Sequence, residues 1–290
     1  MMKLINKLLG TSGWEDASKS AFGATDVGRE RSANEDYFRI IPEKCLYIVA
    51  DGMGGHNAGD VASLNAAQIV DTYFSRQLLL DIQHDDKKIK EAIVNSLMNA
   101  HEKILQLASS KRHYEGMGCT IVTAFLQDNS LHLGHVGDAR AYVCNDSGIK
   151  LLTTDHSFVM DLVQKGKMTM EEARLSPLKN RLNQAIGAAT HIKPDYGHYH
   201  LEVGDRILLC SDGLWDMLTD EQMYQLLMQD QPPKIVCENL INMANKAGGH
   251  DNITAVVIVY KKEPEEGELS DSDSGDFADT SGEYSYVFKK

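Results

Sequence analysis

Apolar residues in this chain fall into two patterns: short unbroken runs that end on an acid, and longer stretches at helical spacing. Leu46, Tyr47, Ile48 and Val49 run straight into Ala50-Asp51-Gly52-Met53-Gly54-Gly55-His56. An apolar run bounded by glycines predicts a buried strand that stops abruptly, with the Asp51 carboxylate at its exposed end. The device recurs at 207–211, which leads into Asp212-Gly213, and at 131–136, which leads into Gly137-Asp138. Further strands are predicted at 22–27, 37–41, 119–126, 141–144, 149–152 and 253–260, with a hairpin turn at 127–130. Apolar positions three or four residues apart predict helices at 57–74, 87–109, 220–228 and 233–246. Asp85 or Asp86 can cap the second of these, and His101 on it reads as a surface residue.

Two regions break the pattern. Residues 153–200 are polar, methionine-bearing and loop-rich, with a short helix expected at 168–174. That composition suits either a mobile flap beside an active site or a plain connecting excursion. From Lys261 onward nine acids and four lysines replace any core pattern, the signature of a disordered tail. The expected organisation is therefore an N-terminal arm (1–20), one catalytic domain (21–262) holding the flap at about 153–200, and an acidic tail (263–290).

Charge and cysteine usage narrow the function. The 290 residues carry a net charge of −13, and a pI near 5.3 argues against a nucleic-acid partner, because phosphate contacts need a basic face. No run reaches the ~18 apolar residues of a membrane span. The five cysteines lack metal-type spacing and read as reduced thiols of a cytoplasmic protein.

The acids then acquire a meaning together. Asp51, Asp138, Asp212 and Asp251 all stand at strand ends, and Glu35-Asp36 lies in a charged loop four residues beyond Arg31. Alone, that loop reads as a solvated turn. Gathered carboxylates repel one another and need a cation to stay ionised. Mg²⁺ and Mn²⁺ take such oxygen ligands, whereas zinc would call for cysteine or clustered histidine. A pair of such ions ~3.5–4 Å apart can activate water and clamp a phosphoryl group. Arg31 matches phosphate oxygens with its planar fork.

The chain resembles the metal-dependent Ser/Thr protein phosphatases of type 2C, in their compact bacterial branch. Six motifs carry the likeness in order: Arg31-Ser32-Ala33-Asn34-Glu35-Asp36, Val49 to His56, Gly118-Cys119-Thr120, Gly137-Asp138-Ala139-Arg140, Ser211-Asp212-Gly213-Leu214-Trp215-Asp216 and His250-Asp251-Asn252-Ile253-Thr254. The resemblance implies an α+β fold of four layers (αββα), a central antiparallel β-sandwich between helix pairs. It implies that Asp51 bridges two Mn²⁺ or Mg²⁺ ions and that Asp212 and Asp251 complete the first. The Gly52 carbonyl and the Glu35-Asp36 pair serve the second, and Asp138 with Asp212 holds a weaker third. Arg31 would bind the substrate phosphate, and His56 would protonate the leaving alkoxide. His135, His156 and His250 read as structural or supporting. Asn57 departs from the small residue common at that place.

The expected activity is hydrolysis of phosphoserine and phosphothreonine in proteins by a metal-activated water, opposing a Ser/Thr kinase, in a monomer. The rivals are a phosphosite-binding scaffold without turnover and another metallophosphoesterase.

Overall fold

A computed structural model describes residues 21–54 and 58–260. The expected arm, the tail and His56 lie outside the described residues. Two five-stranded antiparallel sheets form the centre. The first orders its strands β1(Ala21–Asp26), β10(Ile253–Val259), β9(Arg206–Cys210), β6(Arg140–Asn145) and β7(Gly148–Leu151). The second runs β2(Asp36–Ile41), β3(Leu46–Met53), β4(Gly118–Gln127), β5(Ser130–Val136) and β8(Asp195–His200).

The unbroken apolar runs follow from burial on both faces. In β3, Tyr47 and Val49 point between the sheets, where they meet Val122, Leu133, Leu209, Val256 and Ile258. Leu46, Ile48 and Ala50 point the other way, against α1(Gly59–Tyr73) and α3(Asp86–Ser110), with α2(Arg76–Ile82) joining those helices. On the far side, Leu208, Cys210, Ala255 and Val257 pack under α7(Asp220–Leu227) and α8(Pro233–Lys246). The expected four-layer α+β architecture is what the chain forms.

Several expectations need correction. His101 is buried, and its Nδ1 accepts the Gly187 N–H at 3.1 Å. Helix α2 went unpredicted; Ser75 caps it by accepting from Leu78 N. The segment after β7 holds α4(Phe158–Gln164) and α5(Met170–Leu175). α5 starts two residues later than expected because Thr169 forms a capping box with Glu172. The final residues of the expected 153–200 flap are edge strand β8, paired to β5 with His135 opposite Asp195 and His132 opposite His198. A short helix, α6(Asp212–Trp215), follows β9 directly.

Candidate metal centre

The acid-bearing strand ends meet at one end of the sandwich. Asp36 opens β2 and stands opposite Asp51 in β3, and Asp51 stands opposite Thr120 in β4. Asp212 starts α6 two residues beyond β9, and Asp251 precedes β10 by two. Asp138 lies in the short connection from β5 of one sheet to β6 of the other. Gly137 makes that crossing at φ +99, and a Cβ there would come within 2.4 Å of the Thr120 side chain, so only glycine fits. Both sheets thus contribute acids to one cluster.

Electrostatics shows how closely they are gathered. Asp36 and Asp138 are buried, while Asp51, Asp212 and Asp251 keep partial access to solvent. Burial, then the charges of Asp36, Asp212, Asp138 and Asp251, lifts the Asp51 carboxyl well above the usual carboxylate range. Burial and Asp138, Asp251 and Asp36 do the same to Asp212. Asp138 is pushed up to about 7 by burial and by Asp155, against the pull of Arg140. Burial raises Asp36 to about 6 even though Thr254 Oγ1 and Ser211 Oγ each donate to its Oδ2 at 2.7 Å.

Too little positive charge stands nearby to balance this. Arg140 donates two bonds to Asp155, at 2.9 and 2.7 Å, and stacks 3.6 Å over the Trp215 ring. Arg31 donates to Asp251 at 2.7 Å with about half of its side chain exposed. Burial opposes its charge, but Asp251, Asp212 and Asp51 outweigh that and raise the guanidinium above its ordinary value. Oδ1 of Asp36 and Oδ1 of Asp212 are buried without any hydrogen-bond partner. Buried, unpartnered carboxylate oxygens among like charges fit hard divalent cations, which supply the missing charge and accept oxygen ligands.

Glu35 and Gly52 sit beside this cluster. The Glu35 carboxylate accepts the Gly59 N–H at the start of α1, and burial outweighs that bond to raise it. The Glu35 carbonyl accepts from Gly52 N at 3.1 Å and from Ser63 Oγ at 2.6 Å. A Cβ on Gly52 would lie 2.2 Å from the Gly59 carbonyl oxygen and 2.5 Å from that of Glu35, so no side chain can stand there. His250, exposed, pairs with Glu30.

Ser211, Asn252, Thr254 and Trp215 lie inside the sequence motifs, and the structure gives each a supporting contact. Asn252 ties down the loop that bears Arg31 and Glu35. Its Oδ1 accepts Glu35 N at 2.8 Å, and its Nδ2 donates to Val27 O and Ala33 O at 3.0 and 2.9 Å. Thr254 belongs to a relay in which Asn34 Nδ2 donates to Thr25 Oγ1 and the two threonine hydroxyls bond at 2.7 Å. Trp215 Nε1 donates to the Asp138 carbonyl at 3.0 Å. The readable signal was position: each lies within three residues of a strand-tip acid.

The profile of the protein phosphatase 2C family matches residues 28–232. The chain belongs to that family. It is 36% identical over 246 residues to protein phosphatase PhpP of Streptococcus pneumoniae, covering 83% of this chain and 98% of PhpP. Among solved structures it resembles the Ser/Thr phosphatase Stp1 of Staphylococcus aureus, with a TM-score of 0.77 and 31% identity over 83% of this chain and 95% of that one. The catalytic domain of the Ser/Thr protein phosphatase PstP, solved in complex with two manganese ions, matches with a TM-score of 0.68 and 31% identity, covering 83% and 98%. The chain is a protein-serine/threonine phosphatase, and phosphoproteins are its substrate class.

Proposed function

We propose that the strand-tip acids form a Mn²⁺- or Mg²⁺-dependent centre for hydrolysis of phosphoserine and phosphothreonine monoesters. The observation that carries this reading is the pair of orphaned oxygens on Asp36 and Asp212, inside a cluster of acids drawn from both sheets. In this assignment Asp51, Asp212 and Asp251 would hold one ion. Asp51, the Gly52 carbonyl and Glu35-Asp36 would hold a second, and Asp138 with Asp212 would hold a weaker third. Bound ions would supply Lewis acidity and lower the pKa of coordinated water. The manganese-bound PstP domain supports the choice of ion.

The chain's own groups do the rest. Arg31 is held by Asp251, yet half of its side chain faces solvent, so its remaining donors can grip a phosphate. Ser211 and Thr254 fix the orientation of Asp36, and Asn252 fixes Glu35. His56 is assigned the proton given to the leaving alkoxide, a task suited to a group titrating near neutrality. A covalent phosphocysteine route lacks a nucleophile among the described residues: all five cysteines are buried, and burial raises the thiols of Cys119, Cys144, Cys210 and Cys237.

The catalytic unit is assigned to 21–262, which contains the family match. We infer a Ser/Thr kinase as the opposing enzyme, from the phosphoamino acids cleaved. We infer a monomer, with the exposed large apolar residues divided between scattered positions (Leu80, Val203 and Ile235) and the segment after β7 (Met170, Leu175 and Leu178). Among the described residues no helix is long and apolar enough to cross a membrane, and the buried thiols of Cys119, Cys144, Cys210 and Cys237 support a cytoplasmic setting.

The deciding experiment is phosphate release from phosphoserine, phosphothreonine and phosphotyrosine peptides, with Mn²⁺ or Mg²⁺ and after chelation. Release from the first two that ceases on chelation is expected. Activity that survives complete metal removal overturns the reading, and peptide binding without release favours the scaffold alternative.

A further inference from the structure

Asp36 is oriented by two hydroxyls, from Ser211 and Thr254, but Asp138 is held in another way. Its carboxylate accepts the N–H of its own residue, so its direction follows the backbone. That backbone is the Gly137–Asp138 crossing, which lies between the end of β5 and the start of β6 and outside both strand ladders.

Three hydrogen bonds lace the crossing to residues 154–156, just after β7. His135 Nε2 donates to the Thr154 carbonyl at 2.9 Å. The His156 N–H donates to the Gly137 carbonyl at 2.9 Å. In return the Gly137 N–H donates to His156 Nδ1 at 3.2 Å. One residue, His156, therefore bonds both backbone groups of Gly137. The two imidazoles lie with centroids 4.7 Å apart and planes 23° from parallel, so their nitrogens serve separate partners instead of converging on one point.

Only one of these bonds depends on what side chain stands at 156. Any residue but proline could donate its backbone N–H to Gly137. The Gly137 N–H, however, is buried and needs an acceptor at the place of Nδ1. With Nδ1 accepting, the ring proton sits on Nε2, 3.4 Å from Asp195 Oδ2 in β8, a carboxylate that favours this tautomer. The preceding residue braces the same acid from its other side. Asp155 holds Arg140, Arg140 stacks on Trp215, and Trp215 Nε1 donates to the Asp138 carbonyl.

We propose that His156 is a positioning residue for Asp138: by accepting the Gly137 N–H it sets the direction in which the carboxylate meets its ion. This rests on the reading of Asp138 as a metal ligand given above. Groups that orient a ligand without touching the ion change metal affinity by about 10–100-fold when removed. Here the effect falls on the weaker ion that Asp138 and Asp212 would hold, because the other two ions are assigned to other acids.

The test is equilibrium dialysis against Mn²⁺ alone, without substrate, of the full-length wild type, Asp138→Asn, His156→Asn and His156→Gln. Asparagine at 156 puts an amide oxygen where Nδ1 stands and can accept from Gly137. Glutamine carries its amide one carbon farther out, toward the place of Nε2, and cannot. Asp138→Asn should lose the weaker ion. His156→Gln should retain the tighter ions, which shows that it folds, and bind the weaker one about tenfold less tightly. His156→Asn should bind the weaker ion as the wild type does. Wild-type binding by Asp138→Asn overturns the ligand assignment beneath the proposal. Loss of the weaker ion from Asp138→Asn, together with wild-type affinity in His156→Gln, overturns the positioning role alone. Equal weakening in both His156 variants overturns it too.

Discussion

Asp36 and Asp51 face each other directly across the β2–β3 ladder. Like charges in that position destabilise a sheet, and here the pair is surrounded by three further acids. The sandwich therefore holds a strained arrangement that neutralisation or cation binding relieves.

Asp51→Asn separates stability from activity. Without metal the variant should be about 1–3 kcal/mol more stable than the wild type, because a buried like charge is gone. Phosphopeptide hydrolysis should fall to background, and Mn²⁺ should no longer raise the melting temperature. Thermal unfolding with and without Mn²⁺ checks the first and last points. Near-normal turnover would refute the shared-ligand assignment.

The metal-free enzyme should lose stability as pH rises through the acidic and neutral range. Unfolded aspartates release their protons near ~3.9, while folded Asp36 holds its proton to about 6 and Asp138 to about 7. Asp51 and Asp212 are raised as well. A raised folded-state pKa gives stability that is complete below the unfolded value and lost as pH climbs through the folded one. Denaturant unfolding in chelator should therefore show a declining curve from about pH 4 to 7. Mn²⁺ should flatten it, and Asp51→Asn should make it shallower. A rising curve in chelator would contradict the assignment.

Asn252→Ala should act on metal retention. It removes three hydrogen bonds that position the Arg31–Glu35 loop, at a cost of about 1–3 kcal/mol. The Mn²⁺ concentration for half-maximal activity should rise several-fold while the rate at saturating Mn²⁺ falls less. An unchanged metal requirement would reduce Asn252 to ordinary packing.

Arg31→Lys keeps the charge and loses the planar fork. KM for a phosphothreonine peptide should rise about tenfold at saturating Mn²⁺, equal to about 1.4 kcal/mol of lost binding. Steady-state kinetics at fixed metal measures it. An unaltered KM would place the phosphate elsewhere.

How much was legible follows from the residues themselves. Strand β3 could be read because Leu46 to Val49 is apolar on both faces, but pairing with β4 carries it through Asp51-Gly52 to Met53, past the stop that the glycines predict. β8 was not legible: Asp-Tyr-Gly-His-Tyr-His is an edge strand with one partner and no buried alternation. His101 was misplaced because the group that buries it, Gly187 N–H, arrives from 86 residues away. The acids were visible as a set of strand ends, but their supports were not. Which hydroxyl reaches Asp36 depends on how β9 and β10 register, as the bond from Ser211 Oγ and the Thr254 N–H that Ser211 Oγ accepts show.

The crossing at Gly137–Asp138 is one of several links between the two plates, beside the bonds from Ser211 and Thr254 to Asp36. Each plate carries part of the acid cluster, so the spacing of the acids is a readout of the angle between the sheets. A volume change at Val256 or Leu133, in the filling between the plates, would rotate one against the other and detune the chemistry without touching any acid. The interior of this enzyme thus works as its alignment mount, and the most conservative-looking core substitutions are the ones to watch for loss of metal affinity.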